Sequence, residues 1–301
     1  MNKVMTMKEA ISQNVKSGNT VFFGGAQHGV PTSAMHEIVR QKIDHLSVVC
    51  VLTTVGILIG EGLVDKMITG YVAQNVDASY TLQKAKAMNK LPIFEESSHF
   101  GISLALLAGQ MGIPFMPCRV LAGSDMMKYN ENIKTLTCPF TGGQLGAIKA
   151  VVPDVGILHV QRADAEGNAQ KWGSLGVDEE GINASRRVVV ITEKVVDSEV
   201  IRKDPNRTIV PNFRVNAVVE QPFGAHPSHL AGCYDGDQTF MRVLLGGEES
   251  YEDFMKNYVH GVKDFNGFIE KMKESRGEDY FEKLRIKNLV MSEPIAHGFR
   301  R

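Results

Sequence analysis

The 301-residue sequence contains few cysteines, and none of them belongs to a C-x-x-C motif. The four are Cys50, Cys118, Cys138 and Cys233, which are far apart in the chain. Most stand in apolar or proline-bounded surroundings, where a reduced, buried cysteine is the usual outcome. This distribution argues against a disulfide framework and against a zinc centre, and we expect no metal site.

The sequence also lacks an excess of either charge and any long apolar run. Lysine and arginine number 33 against 34 aspartates and glutamates, whereas a nucleic-acid-binding protein normally shows a basic excess or a basic stripe. No stretch approaches the roughly 18–20 uninterrupted apolar residues of a membrane span, and the first residues contain no apolar run of signal-peptide length. We therefore expect a cytoplasmic protein that binds neither nucleic acid nor membranes.

Several widespread catalytic motifs are missing as well. The chain has no G-x-S-x-G elbow, no H-E-x-x-H and no P-loop, which argues against the common serine hydrolases, zinc proteases and NTPases. His226 and Ser228 stand two residues apart, a spacing with no special geometry for a nucleophile and its base. The chemistry of this chain must therefore come from another arrangement.

What the sequence does contain is a regular alternation of apolar, β-branched runs and amphipathic segments. Predicted strands are Thr20–Phe23, Leu46–Leu52, Lys66–Tyr71, Val155–Val160, Arg187–Thr192 and Val215–Val219. Continuous apolar runs of this kind are typical of parallel strands buried on both faces. We predict an α/β fold, with an open, mostly parallel sheet flanked by helices over residues 1–247. A helical C-terminal appendage is expected over residues 248–301, packed on the same domain. A further helix is predicted over Glu193–Arg202.

The most informative segment follows the first predicted strand. Val21–Phe23 leads into Gly24 and Gly25, and Pro31 then opens an amphipathic helix. A strand that ends on glycines brings backbone N–H groups to the carboxyl edge of the sheet, where open α/β proteins bind their ligands. The alternative is an ordinary strand-to-helix turn, in which glycine only supplies a positive φ. The segment is not a dinucleotide-binding fingerprint, because the third glycine is missing.

Two other polar clusters follow predicted strands. Asn75 comes after the strand that ends at Tyr71, and the run from Glu95 to His99 directly precedes a helix. A helix start favours carboxylates and oxyanions. The alternative is that Ser98 serves only as the N-cap, with His99 a solvated residue of the first turn. His159 follows a buried run and is expected to be a satisfied interior histidine.

Several of these segments together resemble a known family. Val4–Ile11, Ile113–Pro117, Val155–Arg162 and the motif Pro222–Ser228 are similar to the A (alpha) subunits of family I CoA-transferases, those of the glutaconate CoA-transferase type most closely. The similarity extends over nearly the whole chain. It implies the CoA-transferase/NagB-like form of the α/β fold.

The resemblance implies a CoA-transferase that moves CoA between an acyl-CoA and a mono- or dicarboxylic acid. In this family a glutamate attacks the thioester, and a glutamyl-CoA thioester then carries the CoA in a ping-pong reaction. That glutamate belongs to the B (beta) subunit, in a Ser-Glu-Asn-Gly type motif that this chain lacks. We therefore expect activity only in a hetero-oligomer of AB pairs, with coenzyme A as part of the substrate and no permanently bound cofactor.

The resemblance also carries over a set of substrate-binding residues. They are Gly24, Gly25, Ala26, Gln27, Asn75, Ser98 and His99. The glycine loop is implied to line the acyl pocket and to present backbone N–H groups to the oxyanion. His99 replaces a glutamine of the glutaconate enzyme, which makes it a candidate for binding a carboxylate or for acting as an acid or base.

Two other functions stay open at this point. Some relatives on this scaffold act as CoA-ester hydrolases or decarboxylases, and in that case His99 or Glu96 would be the candidate catalytic residue. Regulators that bind sugar phosphates share the same superfold, which would make the chain a non-catalytic ligand sensor. Such sensors usually carry a basic helix-turn-helix, and the N-terminal segment here does not resemble one.

Overall fold

The computed structural model describes residues 1–26, 28–51, 55–72, 79–240 and 250–287. The parallel strands of its main sheet are β1 (Thr20–Phe23), β2 (Leu46–Cys50), β3 (Val64–Thr69), β4 (Ile93–Glu96), β8 (Val155–Asp164), β10 (Arg187–Val196) and β12 (Ala217–Glu220). Their spatial order is β12–β10–β8–β1–β2–β3–β4. Two short strands, β9 (Ala169–Gln170) and β11 (Thr208–Val210), extend the sheet in antiparallel fashion beyond the end of β1.

The parallel core confirms the predicted α/β fold, and its burial explains the sequence pattern. Val48 and Val49 in β2, and the run Val188–Ile191 in β10, are completely buried. Both faces of these strands are covered, so alternate residues cannot be polar. Helices also flank the sheet as predicted. They are α1 (Met7–Asn14), α2 (Thr32–Arg40), α3 (Gly56–Gly60), α4 (Tyr80–Ala87), α5 (His99–Met111), α6 (Met126–Tyr129), α7 (Asp178–Ala184) and α8 (Ser198–Arg202).

A second, smaller sheet was not expected from the sequence. It consists of the antiparallel strands β5 (Phe115–Cys118), β6 (Ile133–Thr137) and β7 (Gln144–Lys149), in the spatial order β5–β7–β6. These strands are largely exposed or half-buried, with lysine, threonine and glycine among their residues. A continuous apolar run is therefore missing, which is why the pattern that identified the core strands did not detect them.

The helix predicted over Glu193–Arg202 is wrong in its first half. Strand β10 continues to Val196 and pairs with β8 up to the register partners Val196 and Asp164. Helix α8 begins only at Ser198. The β-branched pair Val195 and Val196 favours the strand, and the extended conformation places Glu193 in the interior, where it bonds His159.

The described part of the C-terminal region, residues 250–287, is largely helical, as predicted, and packs against the core; residues 248, 249 and 288–301 lie outside the described residues. Helix α9 (Tyr251–Phe254) continues into a π-helical turn (Met255–His260), followed by α10 (Phe265–Arg276) and α11 (Tyr280–Leu284). Phe254, Phe265 and Phe268 surround the buried ring of His36 on α2 at centroid distances of 5.2–6.2 Å. Among the described residues, no helix combines the length and hydropathy that a membrane crossing requires.

Candidate functional site

The Gly24–Val30 loop lies at the point where the strand order of the sheet reverses. Strand β1 is flanked by β2 on one side and β8 on the other, and the chain builds the sheet outward in both directions from there. The Gly24 N–H donates to the carbonyl of Ile157 in β8 at 3.0 Å. Ligands of open α/β sheets bind in the crevice at this reversal, so the topology makes the loop the leading site candidate.

Position 25 of the loop requires glycine. Gly25 has φ +87°, and a Cβ there would lie 2.7 Å from both the carbonyl oxygen of Gly29 and the amide nitrogen of Val30. The far end of the loop is held by the Pro222–Ser228 motif, because the Ser228 hydroxyl accepts the Val30 N–H at 3.0 Å. The motif that carried the resemblance therefore supports the glycine loop directly.

A buried ion pair lies beneath the loop. Lys171, after β9, pairs with Asp178, at the start of α7, and the two residues are 2% and 1% exposed. Asp178 Oδ1 accepts the Gly25 N–H at 2.7 Å, and Lys171 Nζ donates to the carbonyl of His28 at 3.2 Å. The N–H groups of Gly24 and Gly25 thus both have partners within the chain.

His28 belongs to the same loop, and its buried ring is neutral. Burial, the Lys171 charge and the His229 ring lower the pKa of His28 to about 4. Its Nε2 atom accepts the Ala231 N–H at 3.0 Å, which only an unprotonated nitrogen can do. The side chain is 1% exposed, so it fixes the loop and faces away from solvent.

A second buried polar network lies beside the loop and contains His159. His159 Nε2 lies 2.7 Å from Glu193 Oε1, and the Tyr234 hydroxyl donates to the same oxygen at 3.1 Å. Glu193 Oε2 accepts the Phe223 N–H at 3.0 Å. His159 is completely buried, as expected, but among the described residues its Nδ1 atom has no hydrogen-bond partner, so the histidine is not fully satisfied. Both carboxylate oxygens of Glu193 are therefore engaged within the chain.

Ser98 and His99 stand at the start of α5. The Ser98 hydroxyl accepts the Gly101 N–H at 2.9 Å and is the N-cap, while His99 is exposed. Gly70, after β3, leaves room for His99, because a Cβ there would lie 2.9 Å from the His99 backbone. Glu96 is also exposed, whereas Glu95 pairs with Lys66.

The structure brings only part of the expected site together. Gly24, Gly25 and Ala26 follow β1, whereas Ser98 and His99 follow β4, three strand spacings or about 14 Å away along the same edge. Gln27 and Asn75 lie outside the described residues. Sequence reasoning missed Lys171, Asp178 and Glu193, because each acts through a partner that is distant along the chain.

In the part of the chain that the structure describes, the potential metal ligands form no metal-binding cluster and the cysteines form no disulfide. No group of three or more histidine, cysteine or carboxylate side chains is arranged to hold a metal ion there. All four cysteines are free thiols, of which Cys50 and Cys118 are buried.

Comparison with known proteins identifies the family. The sequence matches the family model of coenzyme A transferase over residues 4–221. It is 35% identical over 285 residues to the A chain of 3-oxoadipate CoA-transferase from Pseudomonas knackmussii, with 92% of this chain and 100% of that protein covered. It is 30% identical over 306 residues to the corresponding A chain of glutaconate CoA-transferase from Acidaminococcus fermentans, with 92% and 93% covered.

The fold agrees with these matches. The crystal structure of glutaconate coenzyme A-transferase from Acidaminococcus fermentans superposes with a TM-score of 0.85 at 29% identity, over 94% of this chain and 96% of that one. The resemblance expected from the sequence motifs is confirmed. This chain belongs to the coenzyme A transferase family.

Proposed function

We propose that this chain is the alpha component of a heteromeric CoA-transferase, which moves CoA between an acyl-CoA and a carboxylic acid. The reaction proceeds in ping-pong fashion through a glutamyl-CoA thioester on a partner B subunit. Family membership supports the reaction class, and the 3-oxoadipate and glutaconate relatives are themselves named as the A components of their enzymes.

The observation that carries the proposal is the state of the carboxylates beside the Gly24–Val30 loop. Asp178 is ion-paired with Lys171 and accepts the Gly25 N–H. Glu193 is bonded by Tyr234 and by the Phe223 N–H, with His159 adjacent. Attack on a thioester requires an accessible carboxylate, and both of these are buried and engaged. The nucleophile of a transferase built on this site would come from another chain.

The loop then supplies the pocket of the shared active site. Because the N–H groups of Gly24 and Gly25 are bonded internally, we place the oxyanion contact at Ala26, which is half-buried. A backbone amide held in position stabilises the charge that develops on the thioester oxygen. Gln27 remains a proposed neighbour in this pocket.

We further propose a dicarboxylic acid or its CoA ester as substrate. Glutaconate and 3-oxoadipate, the acids in the relatives' names, both carry two carboxylates. His99 is exposed in the first turn of the 13-residue helix α5, where the helix dipole favours an anion. A carboxylate remote from the thioester could bind there, with Asn75 and Ser98 as proposed neighbours.

Mass spectrometry of the assembled complex tests the proposal. This chain would be co-expressed with the B-type chain of the same genome, incubated with succinyl-CoA or glutaryl-CoA, and treated with borohydride. The expected result is reduction of one glutamate in the partner, with this chain unmodified and inactive alone. A partner variant with that glutamate changed to alanine is the matched control and should lose both the label and the transfer.

The opposite results identify the other functions. Loss of the CoA ester without an acceptor acid, and without a label on either chain, would indicate a hydrolase or decarboxylase and direct attention to His99 and Glu96. Binding of acyl-CoA by the complex with no turnover would indicate a sensor.

A further inference from the structure

The ion pair between Lys171 and Asp178 contacts the glycine loop at two points from below. Asp178 Oδ1 accepts the Gly25 N–H at 2.7 Å, and Lys171 Nζ reaches the carbonyl oxygen of His28 at 3.2 Å. The contacts therefore stand on either side of Ala26, the residue to which the oxyanion contact was assigned. The pair itself comes from a separate segment, between β9 and α7.

Burial of such a pair is costly and calls for a reason. Moving two charges out of water has a large desolvation penalty, and an apolar pair of similar volume is often at least as stable. Lys171 and Asp178 are 2% and 1% exposed. An apolar pair at these positions could fill the volume, but it could neither accept the Gly25 N–H nor donate to the His28 carbonyl. The pair thus supplies polar contacts to the loop that packing alone cannot replace.

The surrounding space shows how closely the pair fits the loop. A Cβ on Gly24 would lie 2.9 Å from Asp178 Oδ1, and a Cβ on Gly29 would lie 3.1 Å from Lys171 Nζ. The glycines of the loop therefore leave room for the two charged groups beneath it. The segment that carries the ion pair also approaches the loop at Gly173, where a Cβ would lie 3.0 Å from the His28 ring.

We infer that Lys171 and Asp178 are positioning residues, which hold the Gly24–Val30 loop in the geometry that directs the Ala26 amide at the thioester oxygen. This inference rests on the proposed transferase function. Neither residue is catalytic, because each acts on the loop and not on the substrate. A fixed amide stabilises the transition state more than the bound ester, so loosening the loop should lower kcat and leave KM nearly unchanged.

The test compares two aspartates that are matched in burial and that each accept a backbone N–H, of which only Asp178 is paired with a lysine. Asp164 is also 1% exposed and accepts the Gly167 N–H at 2.9 Å, but its carboxylate bonds the Glu166–Asn168 turn and Ser198 instead of the loop. Asp178→Asn and Asp164→Asn would be prepared in the complex with the B subunit. Hydrogen–deuterium exchange of the peptide covering residues 21–31, kcat and KM for succinyl-CoA, and Tm would be measured for each.

The expected result is faster exchange in that peptide and an approximately 10- to 100-fold lower kcat for Asp178→Asn, with KM changed less than about threefold. Asp164→Asn should lower Tm but leave loop exchange and kcat within about twofold of wild type. Equal effects of the two variants on kcat, or unchanged loop exchange in Asp178→Asn, would overturn the inference.

A double variant separates positioning from stability. Lys171→Met with Asp178→Leu removes both charges and fills their volume, so Tm should be higher than that of Asp178→Asn, in which the buried Lys171 charge has lost its partner. Turnover should nevertheless stay low, because the loop has lost both polar contacts; recovery of kcat together with Tm would show a purely structural role. Absence of CoA transfer by the wild-type complex would reject the proposed function, and loop exchange would still decide whether the pair holds the loop.

Discussion

Gly25 and Gly29 lie so close together that the backbone at Gly29 leaves no room for a side chain on Gly25. A Cβ on Gly25 would lie 2.7 Å from the Gly29 carbonyl oxygen, and the φ of Gly25 is +87°. Both facts concern backbone atoms, which cannot move aside as the end of a flexible side chain can. The loop that the topology makes the leading site candidate therefore depends on glycine for its own fold.

Gly25→Ala is expected to destabilise the protein beyond the cost of an unfavourable φ. Gly142, in the turn between β6 and β7, has a similar φ of +72° but no atom within 4 Å of its Cβ position. Gly142→Ala is thus the matched control and should cost about 1–2 kcal/mol. The backbone overlap at Gly25 should add about 1–3 kcal/mol. Urea unfolding of both variants measures the difference, and equal losses would show that the loop relaxes without cost.

His99→Gln is expected to change the preference for the acceptor acid and not the fold. His99 is exposed at the start of α5, so the free energy of unfolding should change by less than about 0.5 kcal/mol. If the ring binds a remote carboxylate, the ratio of kcat/KM values for a dicarboxylic and a monocarboxylic acceptor should change by about fivefold, or roughly 1 kcal/mol. His45→Gln, at an exposed histidine between β2 and the preceding helix, should leave this ratio unchanged. An equal loss with every acceptor would instead indicate a general catalytic role for His99.

The parallel core could be predicted because each of its strands is recognisable from a short apolar run of sequence. Runs such as Leu46–Cys50 are apolar at every position except Ser47, a pattern typical of a strand covered on both faces. Residues 115–118 and 133–149 lacked such a signal, because their strands are mostly exposed or half-buried. The mispredicted helix at Glu193 shows a related limit: its charge is typical of a surface helix, yet His159 and Tyr234 bond it in the interior.

The candidate site could be predicted only where a short stretch of sequence indicates it. Two glycines between a strand and a helix indicate a ligand-binding turn whatever the rest of the chain does. The partner of Gly25 is 153 residues away, and Asp178 has the ordinary sequence signature of an acidic residue at a helix start. No pattern within a short window relates these two positions, so their contact could be found only in the folded chain.

Phe268→Ala is expected to detach the C-terminal helices from the core. The Phe268 ring is 1% exposed and contacts the rings of His36, His226 and Phe281 at centroid distances of 5.2–6.5 Å. Truncation of such a ring usually costs about 3–5 kcal/mol. Phe213→Ala, at a ring that is 81% exposed, is the control and should cost less than about 0.5 kcal/mol. A small loss for Phe268→Ala would contradict our proposal that residues 248–301 pack on the same domain.

Acid should destabilise the protein in two separate pH ranges. Burial, the Lys171 charge and His229 lower the pKa of His28 to about 4, against about 6.5 in an unfolded chain. The unfolded state then binds more protons, so the free energy of unfolding falls as the pH drops from 6.5 to 4, by at most about 1.4 kcal/mol per pH unit for one group. Burial opposes ionisation of Asp237, but hydrogen bonds from His226 and Tyr280 outweigh it and lower its pKa to about 2. Its contribution is lost between pH 3.8 and 2.

His36→Phe tests the loss of stability between pH 6.5 and 4. Burial and the Arg40 charge lower the pKa of His36 well below its ordinary value, and its ring already packs among Phe254, Phe265 and Phe268. Phenylalanine keeps an aromatic ring there but removes the titrating group, so the loss of stability from pH 6.5 to 4 should become smaller. His45 provides the control, because hydrogen bonding to Asp65 raises its pKa, so its contribution to stability is complete below pH 6.5 and is lost only at higher pH. His45→Gln should therefore leave the slope of the acid limb of urea unfolding unchanged, and an equally unchanged limb in His36→Phe would show that the buried histidines do not govern it.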